Sequence, residues 1–287
     1  AKYAYYVTRY VNNDETQIHV DNTYRQQEMY FSTSNVYEIL SKWSVSMSYD
    51  FKWNKLNANM VDFAFPHRYS NFVSLATALT LSRIQAQASL VEQVVKDHVK
   101  YGASSSSRST LTPAFFVNVY PFESKLLAVR AFAKKSFRMP TFNDLYYADM
   151  GNSKLNPESA LQYDLGFVLN KDWKQGIVDH LRLQVDGYYN TVYDKIVAYP
   201  KGQQFRWTML NLGKVHIKGV DAMAEVGLEP AKDWKVTARL QYTYQDARDV
   251  TDSNTSYYKD QIPYIPWHSG SAILGLSWRE WDLAYSF

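Results

Sequence analysis

Residues 43–53 read Trp43-Ser44-Val45-Ser46-Met47-Ser48-Tyr49-Asp50-Phe51-Lys52-Trp53. Every odd position is apolar or aromatic, and every even one is serine, aspartate or lysine. Side chains of a strand alternate between its faces, so the stretch predicts a β-strand with one greasy and one wet side. The same period of two returns at 161–169, 181–185, 220–228, 234–244 and from 281 onward. In 234–244, Trp234, Val236, Ala238, Leu240, Tyr242 and Tyr244 share one face, and Lys235, Thr237, Arg239, Gln241 and Thr243 the other.

Extended along the chain, the pattern predicts thirteen strands. They lie near 1–11, 24–40, 43–54, 70–81, 83–97, 110–122, 125–135, 159–170, 180–198, 205–228, 234–248, 267–279 and 281–287. No stretch reads convincingly as a helix. The run 91–99 has some helical character, but its continuity with Ile84, Ala86, Ala88 and Leu90 favours a strand. Short connections fall at 40–43, 82, 122–125, 229–233 and 279–280, with 171–179 somewhat longer; long ones cover 12–23, 55–69, 98–109, 136–158, 199–204 and 249–266. Short turns at one end and long loops at the other are the layout of an outer-membrane β-barrel. Trp43, Trp173, Trp234, Trp278 and Trp281 sit beside short turns, and Trp53, Trp207 and Trp267 at long-loop ends. Indole prefers the headgroup region, so two aromatic girdles would be placed this way. A soluble sandwich or propeller also alternates, but it has no need of Trp at both strand ends. Many of these strands also exceed the ~5–6 residues usual in globular sheets and suit the ~9–11 that a bilayer demands. The expected fold class is therefore all-β, an antiparallel transmembrane β-barrel.

Composition agrees. The 287 residues carry 31 Lys and Arg against 28 Asp and Glu, a net charge of +3, which excludes a strongly basic nucleic-acid binder. There is no Cys, so disulfide frameworks, Cys-zinc sites and Cys nucleophiles are excluded. Aromatic residues make up 16% of the chain, far from the composition of a disordered one, while mean hydropathy is only −0.40. No run approaches the ~18 apolar residues of a transmembrane helix. An odd strand count, with the chain starting and ending inside strand-like runs, is what a piece of a longer barrel would show, since bacterial barrels use even numbers.

No nucleophile elbow, metalloprotease helix, P-loop or dinucleotide fingerprint is present, and no catalytic residue is expected. The six His are scattered, with His67 and His98 nearest to a loop rim. Asp246, Asp249, Asp252 and Asn254 are spaced oxygen ligands of the kind calcium takes, although a solvated polar loop accounts for them more simply. Lys134, Lys135 and Arg138 form a basic cluster that suits an anionic ligand, a lipopolysaccharide phosphate or an interfacial charge ring.

The 136–158 connection carries a resemblance. Phe137-Arg138-x-Pro140, then Leu145-Tyr146, then Gly151-Asn152-x-x-Leu155-x-Pro157-Glu158, resembles TonB-dependent outer-membrane receptors. So do Tyr188-Tyr189-Asn190 with Asp194-Lys195-Ile196, the stretch from Asn211 to Asp221, Tyr242 to Arg248, and Ile265-Pro266-Trp267-His268. Within that family the arrangement is most similar to cobalamin (vitamin B12) receptors of a Bacteroides type, clearly from about Lys125 onward and by layout alone before it. The resemblance implies a barrel of roughly 22 strands with a plugged lumen. These thirteen would be the seventh to nineteenth, with the plug domain and energy-coupling box outside the chain, and residues 1–287 would be one partial barrel domain. It further implies no enzymatic activity and no cofactor, and it puts the calcium site of cobalamin receptors in early strands and loops outside these residues, so that no metal ligand is carried over. The implied partners are outer-membrane lipid, the TonB energy-coupling protein through the missing N-terminal part, a surface lipoprotein in some relatives, and a small ligand. Cobalamin or a related corrinoid comes first, a ferric siderophore second and haem third, with a non-specific pore as the reading from another class. On this view the polar strand face, including Asp50, Asp164, Arg182, Asp186, Asp221, Glu225 and Arg239, lines the lumen and meets the plug. A flat macrocycle or catecholate suits aromatic loop residues. The residues expected to touch it are Arg68, Tyr69, Phe142, Tyr146, Tyr147, Tyr257 and Tyr258.

Overall fold

In a computed structural model, thirteen strands form one antiparallel sheet whose spatial order is the sequence order. The structure describes residues 1–13, 19–147, 151–201 and 206–287; parts of the connections expected at 12–23, 136–158 and 199–204 lie outside them. The strands are β1 (Lys2–Asn12), β2 (Val20–Leu40), β3 (Trp43–Ala58), β4 (His67–Thr80), β5 (Ile84–His98), β6 (Arg108–Val119), β7 (Leu127–Arg138), β8 (Glu158–Asp172), β9 (Val178–Lys201), β10 (Arg206–Ala231), β11 (Trp234–Asp249), β12 (His268–Trp278) and β13 (Trp281–Ser286). All thirteen expected strands are present. Several run further toward the long-connection end than the alternation predicts: β4 begins at His67 rather than 70, which puts Arg68 and Tyr69 on a strand instead of in a loop. A one-turn helix, α1 (Phe142–Tyr146), lies in the β7–β8 connection, where no helix was expected. A single turn is too short to show a 3.6-residue period.

Residues facing each other across a ladder lie on the same side of the sheet, so the two faces propagate from strand to strand. Trp43 opposes Leu79 and Trp53 opposes Tyr69. Leu79 opposes Ala86, and Tyr69 opposes Lys96. At the other end of the sheet Trp234 opposes Trp278, and the two indoles stack with centroids 5.5 Å apart. The apolar face this builds is bare. Met47, Leu75, Leu165 and Leu240 are all more than half exposed. So much contiguous apolar surface requires a nonaqueous neighbour, and the band between two Trp rows is where lipid belongs.

The opposite, inner face is polar, and much of its charge is paired within the wall. Arg130 donates two hydrogen bonds to the Asp186 carboxylate, at 2.8 and 2.5 Å. Lys52 sits 2.8 Å from Glu28, Arg239 pairs with Glu225, Tyr30 donates to Asp50, and Thr243 donates to Asp221 at 2.7 Å. Hence Asp50, Asp186, Asp221, Glu225 and Arg239, expected to wait for a plug, already have partners within the wall.

The basic cluster expected at the top of β7 is split by the pleat. Lys134 and Arg138 oppose Gln162 and Glu158 on the inner face, whereas Lys135 opposes Leu161 on the outer one. Lys134 lies over the Phe132 ring at 5.1 Å, and Arg138 is 3.3 Å from Glu158. True burial occurs chiefly at the long-connection end of the inner face, where loops fold back onto strands.

Candidate functional site

The β7–β8 connection folds onto the inner face as a compact body. Pro140 stops the strand, and Thr141 caps α1: its hydroxyl accepts from the Asp144 amide at 3.2 Å while the Asp144 carboxylate accepts from the Thr141 amide at 2.8 Å. Arg68 on β4 clamps the body to the wall. Its Nε and Nη2 donate to the two oxygens of Asp97 on β5, both at 2.7 Å, and its Nη1 donates to the Pro140 carbonyl at 2.7 Å. The Phe142 ring lies against the same guanidinium, 5.1 Å from Cζ. Phe142 packs with Tyr24, Leu56 and Phe63, and Tyr147 stacks on Tyr24 at 5.2 Å. On the other side Leu145 and Leu155 pack with Ile196 on β9. The Asn152 side-chain Nδ2 donates to the Met209 carbonyl at 3.0 Å, and the Glu158 carboxylate accepts from the Ile196 backbone amide at 3.0 Å. One connection thus touches β2 and β10. A flat sheet would hold those strands about 38 Å apart, at ~4.8 Å per spacing, so the sheet curls around the loop.

The residues that carried the family resemblance do structural work here. Pro140 is fully buried and Leu145 is 2% exposed. A Cβ on Gly151 would come within 2.8 Å of the Leu145 and Tyr146 backbone, so only glycine fits that approach. Tyr146 is half-buried, its hydroxyl accepting from the Ser105 amide at 3.3 Å. Burial pushes its phenol up from the usual value, and the nearby Asp97 carboxylate adds to the shift.

The β11–β12 connection behaves differently. It is pinned along one side: the Gln261 side-chain oxygen accepts from the Ala247 amide at 2.9 Å, its amide donates to the Ile265 carbonyl at 3.1 Å, and Ile262 packs on Val192, Val215 and Ile217 of the inner face. Its other side borders a cavity of about 840 Å³ shared with the ends of β9 and β10. Tyr199, Trp207, Tyr257 and Tyr264 line it, with Ile196 and Leu210 among the aliphatic wall and Lys195, Asp249, Asp252 and Asp260 as its charged groups. Trp207 and Tyr264 meet across it, ring centroids 5.8 Å apart.

The expected ligand residues therefore scatter. Arg68, Phe142, Tyr146 and Tyr147 belong to the clamped β7–β8 body. Tyr69, 40% exposed, opposes Trp53 on the lipid-facing side, its ring edge-on to His98. Tyr257 borders the cavity, while Tyr258 is not part of its lining and has Lys259 over its ring at 5.3 Å. Asp246 turns away from Asp249 to meet Arg248 at 2.7 Å and Lys218 at 3.5 Å, while Asp249 and Asp252 accept amides of their own turns. No grouping of His, Asp and Glu among the described residues could hold a metal ion. His67 and His98 oppose each other on the outer face. Trp207, Tyr264 and the Asp97 partner of Arg68 were missed. The Pro263-Tyr264-Ile265-Pro266 punctuation was the one available signal for Tyr264; Asp97 had none, because its pairing is a matter of strand register.

The family model described as TonB dependent receptor-like, beta-barrel matches residues 1–287. A vitamin B12 transporter, BtuB, of Vibrio vulnificus (strain YJ016) is 28% identical over 120 residues, covering 41% of this chain and 17% of the transporter. Among solved structures, the copper transporter OprC superposes with a TM-score of 0.73 at 15% identity, covering 98% of this chain and 46% of that one. The FrpB iron transporter from Neisseria meningitidis, apoprotein form, follows at a TM-score of 0.67 and 13% identity, covering 94% and 44%. The chain thus spans less than half of each of these two solved structures, and the aligned stretch is about a sixth of the B12 transporter. With a family model matched from first residue to last, thirteen antiparallel strands and a bare apolar face between Trp rows, this chain belongs to the TonB-dependent receptor-like β-barrel family of the outer membrane.

Proposed function

We propose that residues 1–287 are one stretch of the barrel wall of a receptor that binds cobalamin or a related corrinoid and takes it up with TonB-derived energy. The observation that carries this reading is the 28% identity to a B12 transporter over 120 residues. On this reading the plug and the contact with the TonB energy-coupling protein lie in parts of the receptor outside these residues, and a surface lipoprotein is a further candidate partner. The wall contributes three things: an apolar band for lipid, a self-paired polar lumen, and two built connections at the ligand-facing end. Of the residues expected at the ligand, Tyr257 and Tyr258 are assigned to contact. Phe142, Tyr146, Tyr147 and Arg68 act by holding the β7–β8 body in shape, and Tyr69 belongs to the girdle.

A metal chelate is the second reading, favoured by the fold likeness to copper and iron transporters. Fold alone does not set the ligand. Calorimetric titration of the full-length receptor in detergent separates the two. Tight binding of cyanocobalamin supports the corrinoid reading. Silence toward it beside clear binding of a ferric siderophore replaces that reading with the second.

A further inference from the structure

We propose that the cavity between the ends of β9 and β10 and the β11–β12 connection is the receptor's ligand-selecting site, and that it takes a ring-bearing ligand of neutral or positive charge and rejects polyanionic ones. The inference rests on the receptor reading above and adds the place and the charge class. Its volume, about 840 Å³, lies in the range of sites that accept a drug-sized ligand or one face of a larger macrocycle.

Two observations make it a built site. First, its wall is set before any ligand arrives. Gln261 and Ile262 tie the connection to β11 and the inner face, and the Lys259 amide donates to the Asp249 carbonyl at 2.7 Å. Pre-organised walls lose little entropy on binding. Second, Tyr264 is held at φ +63° and is 76% exposed, with its ring turned to Trp207. A bulky residue in the left-handed region is unfavourable, and such strain persists where the surroundings impose it, most often at functional positions.

Charge sets the class. Three carboxylates, Asp249, Asp252 and Asp260, line the cavity against one ammonium, Lys195. Asp249 and Asp252 are fixed by the amides of Thr251 and Asn254. The surplus negative charge repels an anion and tolerates a neutral ligand, while the Trp207 and Tyr264 faces attract cations and flat rings.

The test uses the full-length receptor in detergent with three probes: cyanocobalamin and ferrichrome, both neutral, and ferric enterobactin, a trianion. At least one neutral probe should bind, and Trp207→Ala and Tyr264→Gly should each weaken it tenfold or more. Asp252→Asn with Asp260→Asn should shift the affinity ratio of trianion to neutral probe about tenfold in favour of the trianion. Heat-modifiable migration on gels confirms that each variant is a folded barrel, and two independent aromatic variants guard against the loss of one. Ferrichrome binding through Trp207 with no cyanocobalamin binding sinks the corrinoid reading and upholds the cavity. Cyanocobalamin binding untouched by both aromatic variants does the reverse. A wild-type preference for the trianion, or no binding of either neutral probe, overturns the inference.

Discussion

The β7–β8 and β11–β12 connections look alike as sequence and differ as structure. Both are long, both are punctuated by proline, and both carry paired tyrosines, Tyr146-Tyr147 and Tyr257-Tyr258. The first is folded shut: its aromatic residues are spent on Tyr24, Leu56, Phe63 and the clamp at Arg68. The second is tied down on one side only and leaves Tyr257 and Tyr264 beside open space. Aromatic content marks a loop with something to bury. Whether it buries the wall or a ligand is decided by what the neighbouring strands offer, and β2 to β5 offer an apolar floor with a buried carboxylate.

That contrast can be broken at the clamp. Arg68→Ala leaves Asp97 buried without its ion partner and frees the Pro140 carbonyl. Removing one member of a buried pair typically costs about 3–5 kcal/mol. The expected outcome is a β7–β8 connection that exchanges amide hydrogens at least a hundredfold faster at 139–147, while exchange at 259–265 is unchanged. Equal protection in both variants would mean that the aromatic floor, not the clamp, holds the loop. Gly151→Ala attacks the same body from within: overpacking against the Leu145 carbonyl should cost roughly 1–3 kcal/mol of local stability, read by protease nicking of the connection in folded barrels.

The distinction between the two loops was not legible in the sequence, whereas the strands were. The pleat forces a two-residue period on every membrane strand, so Trp43 to Trp53 announces both the strand and its lipid face. Loop geometry has no such period. The clamp needs Arg68 and Asp97 brought opposite each other by the β4–β5 register, and the cavity needs Trp207 from the start of β10 and Tyr264 from the β11–β12 connection. Strand ends were also underestimated, because the alternation of polarity fades beyond the bilayer while the hydrogen-bonded ladder continues. That is why Arg68 and Tyr69 were grouped together as loop residues, although one strand step sends them to opposite faces. The family motif in 137–158 was legible as a motif, but its residues turn out to fold the loop.

A smaller effect sharpens the comparison at α1. Thr141→Ala removes one half of the capping box and should cost about 1 kcal/mol, since a Ser or Thr cap is worth that much on average. Hydrogen exchange at Asp144 and Leu145 should rise by roughly fivefold to tenfold, with Thr141→Ser restoring protection. In the β11–β12 connection no helix exists among the described residues, and Thr255→Ala there should leave the exchange at 259–265 within experimental scatter.

The smallest effect is a pH dependence of the closed loop. Tyr146 has its phenol pushed up by burial, so the folded loop favours the neutral form more than the opened loop does. A raised folded value means that the contribution is complete below the ordinary tyrosine pKa of 10.0 and is lost as pH climbs through the folded value. Raising the pH past 10 should therefore loosen 139–147, because the opened loop releases a proton that the closed one keeps. Difference absorbance of tyrosinate would show a late-titrating phenol that Tyr146→Phe removes. That variant also loses the acceptor for the Ser105 amide, so it should be slightly less stable at neutral pH and less sensitive to alkali. If the alkaline loosening of 139–147 persists in Tyr146→Phe, the buried phenol is not what couples the shut loop to pH, and that mark of the contrast between the two connections fails.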